Sequence, residues 1–170
     1  MIRRRDNERR PVDISIDLGI LLYEIENETW LRGRSVAGKE KADIRITPDP
    51  GVKERVFRSL QSAYTEIENL LGEYLRGQRN DRTNELWQHN KDISIRLWLP
   101  DNYETSSIDS VTQSIHSYLR DKSVADWYSI TNVEEAKLYA SRAEQASITL
   151  RESISRRRRP RPPHFRGYRF

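Results

Sequence analysis

Seven arginines, three prolines, three aromatic rings and no acid fill residues 155–170, SRRRRPRPPHFRGYRF, of this 170-residue chain. Arginine presents a planar fork of donors that meets carboxylate or phosphate oxygens in pairs, and aromatic rings stack on it or on bases. The chemistry such a run supplies is docking, with no bond made or broken. Pro160, Pro162 and Pro163 lack the N–H that a helix needs and restrict the residue before them, so a helix arriving at Ser155 must stop near Arg159, with extended chain beyond. The candidate partner-binding residues are therefore Arg156, Arg157, Arg158, Arg159, Arg161, Phe165, Arg166, Tyr168, Arg169 and Phe170.

Residue types that catalyse are present without the spacing that catalysis requires. His89, His116 and His164 are scattered, and no HExxH, GxSxG or phosphate-binding glycine loop occurs. His116 beside Ile115 reads as a surface or boundary residue of a helix. Glu134 and Glu135 are better placed as acids favoured by a helix N-terminus than as a general acid and base. Asp13 and Asp17 fall on one face of a short strand, where a solvated face is the plainer reading than a bound cation. No catalytic, cofactor-binding or metal-binding residue emerges, and the chain reads as a non-enzyme. Of Trp30, Trp87, Trp98 and Trp127, Trp98 stands apart: it shares with Arg96 the strand face opposite Ile93, Ile95, Leu97 and Leu99, the composition of an interface anchor.

Charge divides the chain. Residues 1–10 carry five arginines against Asp6 and Glu8, and residues 156–170 carry seven arginines and no acid; the chain total of +4 thus leaves a net −6 on residues 11–155. A nucleic-acid-binding domain usually shows its basic footprint on the folded body. Basic ends on an acidic body suit subunits that grip their neighbours, with nucleic acid the second candidate target. There are no cysteines, no apolar run long enough for a membrane span, and no apolar stretch after the basic start MIRRRDNERRP. A soluble protein with no membrane partner is expected, cytoplasmic or carried in a particle.

The elements that must hold these residues follow from periodicity. Val12, Ile14 and Ile16 alternate with polar residues as in a half-buried strand; Leu18, Leu21, Leu22 and Ile25 then recur at helical spacing, with Trp30 and Leu31 continuing the stripe to Gly33. Residues 33–50 read as an exposed loop. A second helix carries Val52, Val56, Phe57, Leu60, Ala63, Tyr64, Ile67, Leu70, Leu71, Tyr74 and Leu75 on one face and stops at Gly77. Residues 92–99 alternate as a strand stopped by Pro100, with residues 86–88 as a hairpin partner across a turn at 89–91. Ser106 or Ser107 caps a third helix through Trp127 and Tyr128. Thr131 with Glu134 fits a capping box for a fourth, whose inward face, Ala136, Tyr139, Ala140, Ala143, Ala146, Leu150 and Ile154, is small enough for close helix packing. The expected fold is mainly α: a bundle of about four helices with one small strand or hairpin element, a basic N-terminal arm over 1–11, a helical domain over 12–155 and an arginine-rich C-terminal arm over 156–170.

The run KDISIRLWLP through SVTQSIHSYLRDKSVADWYSITNVEEAKLYASRAEQASITLRESISRRRRP resembles structural proteins encoded in the virion gene blocks of Bacteroidetes phages and prophages. Its order of strand, proline, helix, DWYSITN and helix is similar to that of the head-to-tail connector (adaptor or ring) proteins of tailed phages, over residues 12–157. The resemblance implies a homo-oligomeric ring, a dodecamer, between portal and tail in the virion neck, assembled in the host cytoplasm, whose C-terminal arm reaches the portal or a neighbouring ring. Two other classes fit the composition: a nucleic-acid-binding or DNA-packaging accessory protein that neutralises phosphates with its arms, and an accessory regulator or toxin-system component of helical fold.

Overall fold

The computed structural model describes residues 9–35, 46, 49–75 and 92–158. Within them lie a two-stranded antiparallel sheet, β1 (Arg9–Ile16) with β2 (Ile93–Pro100), and four helices, α1 (Leu18–Ser35), α2 (Pro50–Leu70), α3 (Ile108–Thr131) and α4 (Val133–Ser155). The fold is mainly α with one small sheet, as the periodicities predict.

Sheet register follows from the alternation of side chains. Ile14 sits opposite Ile95, Ile16 opposite Ile93 and Val12 opposite Leu97, so the apolar sets of both strands fall on one face. Ile93, Ile95, Leu97 and Leu99 are all buried. The strand paired with β2 among the described residues is thus β1, from the far side of two helices; the hairpin partner expected at 86–88 lies outside the described residues. Because β1 begins at Arg9, residues 9–11 of the expected N-terminal arm are paired strand.

Asp17 starts α1: its carboxylate accepts the Ile20 amide at 3.0 Å and its carbonyl the Leu21 amide at 3.1 Å. Leu18, Leu21 and Ile25 turn inward as expected, but the stripe continues on Thr29, which is fully buried, while Trp30 and Leu31 are 42% and 49% exposed. A period of 3.6 residues carries the inward face from 25 to 29, and Thr29 tolerates burial because its hydroxyl donates to the Glu26 carbonyl at 2.9 Å and accepts the Ile46 amide at 3.3 Å. Pro50 opens α2 behind Asp49, whose side chain accepts the Gly51 amide at 2.9 Å. The helix ends at Leu70, followed by a 3₁₀ turn at Gly72–Tyr74, rather than running to Gly77; Gly72 costs a helix about 1 kcal/mol relative to alanine.

α3 is the central element, packed against α1, α2, α4 and β1. Accordingly its buried arc is wide, taking in Val111, Ile115, Leu119, Val124 and Tyr128, with Ser114, Ser123 and Ala125 where neighbours come close. The capping box expected at Thr131 does not form. Thr131 is the last residue of α3, its hydroxyl donating back to the Trp127 carbonyl at 3.3 Å, and Asn132 alone separates α3 from α4. So tight a connection leaves the two helices antiparallel, and α4 packs along α3 through Tyr139, Ala143, Leu150 and Ile154, with Ala140 exposed. Across α2 and α3, the Tyr118 hydroxyl donates to Glu66, which Lys122 meets at 3.0 Å. Burial works to raise the Glu66 carboxyl, but those two hydrogen bonds outweigh it and hold the group below its usual range.

Candidate docking surface at the root of the basic ends

The described part of the C-terminal basic run, residues 156–158, is anchored on the body. α4 stops at Ser155, short of Arg159, because residues 156–158 turn extended and pair with the turn that follows β2. Tyr103 and Arg157 form an antiparallel bridge, the Glu104 amide donates to the Arg156 carbonyl at 3.3 Å, and the Arg158 amide donates to the Asn102 carbonyl at 2.7 Å. The Arg157 guanidinium donates to the Ile154 and Arg156 carbonyls at 3.0 and 3.1 Å, satisfying acceptors left over at the helix end. Beneath them the Tyr103 ring is 3% exposed, with its hydroxyl donating to the Ser153 carbonyl at 3.2 Å.

The other basic end arrives at the same place. Arg9 is opposite Pro100 in the sheet and donates to the Glu73 carbonyl at 2.6 Å; Arg10 meets Asp101 at 2.6 Å. Five arginines, at positions 9, 10, 156, 157 and 158, thus gather around residues 100–104, with Arg156, Arg157 and Arg158 exposed. Arg159, Arg161, Phe165, Arg166, Tyr168, Arg169 and Phe170 lie outside the described residues.

Arg96 and Trp98 occupy the solvent face of the sheet, as their alternation predicts. Arg96 meets Asp13 across the strands with two hydrogen bonds, at 2.6 and 3.1 Å, which holds the Asp13 carboxyl below its ordinary range. Trp98 is half-buried opposite Pro11. Asp13 and Asp17, read as one strand face, therefore divide their roles: the first pairs with Arg96 and the second caps α1. His116 lies at the α1–α3 boundary, its Nδ1 3.8 Å from Glu24; His89 and His164 are outside the described residues. Glu134 and Glu135 sit in the first turn of α4, near Lys137 and Arg32 respectively. No group of three or more potential metal-ligating side chains occurs among the described residues, and no helix among them is long and apolar enough to cross a membrane.

One surface escaped the sequence reading. Ile20, Tyr23, Trp30 and Leu31 are 55%, 67%, 42% and 49% exposed and form a stripe on the side of α1 opposite Leu18, Leu21 and Ile25. Ile20, Tyr23 and Trp30 share one helical face in the sequence, with polar Asn27 between the last two, and placing Trp30 on the inward stripe conceals it. No family model matches the chain, and comparison with curated proteins and with solved structures gave no match either.

Proposed function

We propose that the chain is a virion structural protein of the head-to-tail connector kind, assembling as a ring between portal and tail with its basic C-terminal arm docked on the portal or a neighbouring ring. The observation that carries this reading is that both basic ends are rooted at one corner, around residues 100–104, while residues 11–155 bear a net −6. A concentrated cationic grip on an otherwise acidic subunit favours contact between unlike surfaces of neighbouring proteins. The twelve-fold count and the portal as partner come from the resemblance to connectors.

The test is deletion of residues 159–170, which spares the docked Arg156, Arg157 and Arg158. Virions assembled with the shortened chain should yield filled heads that do not join tails, seen by electron microscopy, while the full-length chain binds DNA only weakly at physiological salt. Tight DNA binding, steeply salt dependent and lost on deletion while particles assemble normally, would make the chain a nucleic-acid-binding protein instead.

The outward stripe of α1, two exposed apolar pairs (Ile20 with Tyr23, Trp30 with Leu31) on one side of the helix, supports self-association, since clustered exposed apolar side chains mark interaction surfaces. Ile20→Glu with Tyr23→Glu should lower the mass of the full-length chain in multi-angle light scattering, with the dissociation constant raised at least about tenfold, because burying one such side chain contributes about 1.5–3 kcal/mol. Thermal stability of the subunit should stay nearly constant, both positions facing away from the core.

A further inference from the structure

Between α2 and α3 lies a cleft of about 240 Å³ lined by Arg55, Arg58, Ser59, Ser62, Lys122 and Asp126. Positions 55, 58, 59 and 62 follow one ridge of α2 beside its buried stripe, and 122 and 126 are one turn apart on α3, so helical spacing alone brings three cations and two hydroxyls around one space. Carboxylates meet each cation: Arg55 is 3.8 Å from Asp126, Arg58 2.6 Å from Glu54 and Lys122 3.0 Å from Glu66. Ser59 donates to Asp126 as well.

Donors outnumber these acceptors. Each guanidinium has five N–H groups and each ammonium three, and a single carboxylate contact leaves most of them for other acceptors. Arg55 shows the imbalance directly: its Nε is buried and without a hydrogen-bond partner, and its Nη2 stands 3.8 Å from Asp126, beyond hydrogen-bonding distance. A buried, unsatisfied N–H on a cation is costly, and an acceptor oxygen within its reach would relieve it. The lining itself bears three cations and one carboxylate, Asp126, while Glu54 and Glu66, outside the lining, take one contact each from Arg58 and Lys122 respectively, so an anion would be held by the spare donors rather than by net charge. The cleft volume is below the roughly 300–1,000 Å³ of pockets that enclose whole small molecules, which suits a single charged group.

We infer that this α2–α3 cleft is a binding site for a phosphoryl group, held by Arg55, Arg58 and Lys122 with the Ser59 and Ser62 hydroxyls beside them. The inference stands apart from the connector reading: it concerns the folded body, not the basic ends.

The test uses the ¹⁵N-labelled full-length chain titrated with inorganic phosphate at constant ionic strength. Saturable shifts are expected at the amides of Ser59, Ser62 and Lys122, and Arg58→Gln, whose side chain is 69% exposed and outside the core, should weaken binding about tenfold; Lys122→Gln provides a second, independent substitution with the same expected loss. A short DNA duplex added in a parallel titration identifies the source: the same amides moving at lower concentration assigns a phosphodiester, and their response to inorganic phosphate alone assigns a free phosphate. Shifts confined to residues 156–170, no saturable shift in the cleft, unchanged affinity in both variants, or an equal response to acetate would each overturn the assignment.

Discussion

Arg120→Ala is expected to lower the stability of the folded chain by about 3 kcal/mol, because it strands a buried carboxylate. Asp121 is 3% exposed, yet it lies on α3 where that helix is enclosed by its neighbours. Its partner is the adjacent Arg120, whose Nε donates at 2.8 Å, while the same guanidinium reaches Glu24 of α1 at 3.4 Å. The cation thereby joins two carboxylates, one on each helix, and truncating it leaves Asp121 desolvated without compensation. Urea unfolding should show a lower midpoint at an unchanged slope. Adding Asp121→Asn should recover at least half of the loss, since a neutral amide is far less costly to bury than an unpaired charge. A loss below about 1 kcal/mol for the single variant would mean that water reaches Asp121 and that the pair behaves as a surface contact.

A comparable effect is expected at Tyr103, where fold and proposed function meet. Tyr103→Ala should cost about 3–4 kcal/mol, the usual range for emptying a buried aromatic site. Tyr103→Phe should cost only about 1 kcal/mol, the contribution of the hydrogen bond to Ser153. Burial raises the phenol above its ordinary range, opposed by the nearby Arg157 and Arg156, so the hydroxyl remains a donor at neutral pH. If the ring also fastens residues 156–158 to the body, Tyr103→Ala should accelerate amide hydrogen exchange at Glu104 and Arg158, whose donors close that contact, while Tyr103→Phe leaves it slow. Equal protection in both variants would show that the bridge stands without the ring.

Much of this architecture is legible in the apolar periodicities, which are local. The inward faces of α2 and α4 and the alternation of β2 are fixed by residues within a few turns of each other, and they fall where the spacing puts them except at Ala140, which is exposed, and past Leu70, where α2 has already ended. Strand pairing is not local. Nothing around Asp13 announces that its partner is Arg96, 83 positions away, and proximity in sequence favours the hairpin reading instead. Thr29 was illegible for a different reason: a polar residue takes a core position when two hydrogen bonds satisfy its hydroxyl, and only the arrangement of the backbone around it supplies them. The basic ends were readable as charge, but not as a cluster. Their convergence depends on β1 and residues 156–158 both attaching next to residues 100–104, which no composition encodes.

That convergence has a consequence for the order of events in folding. Pairing β1 with β2 closes a loop of roughly 80 residues, and such long-range contacts form slowly because the closure entropy is spent before the contacts reward it. α3 and α4, joined by a single residue, have no such delay. On a growing chain β1 must wait for β2 to be made, and the corner at residues 100–104 receives residues 156–158 only after α4 is complete. The twin cationic roots can therefore come together only on a chain made through residue 158, and a chain stopped within α4 lacks the cluster altogether.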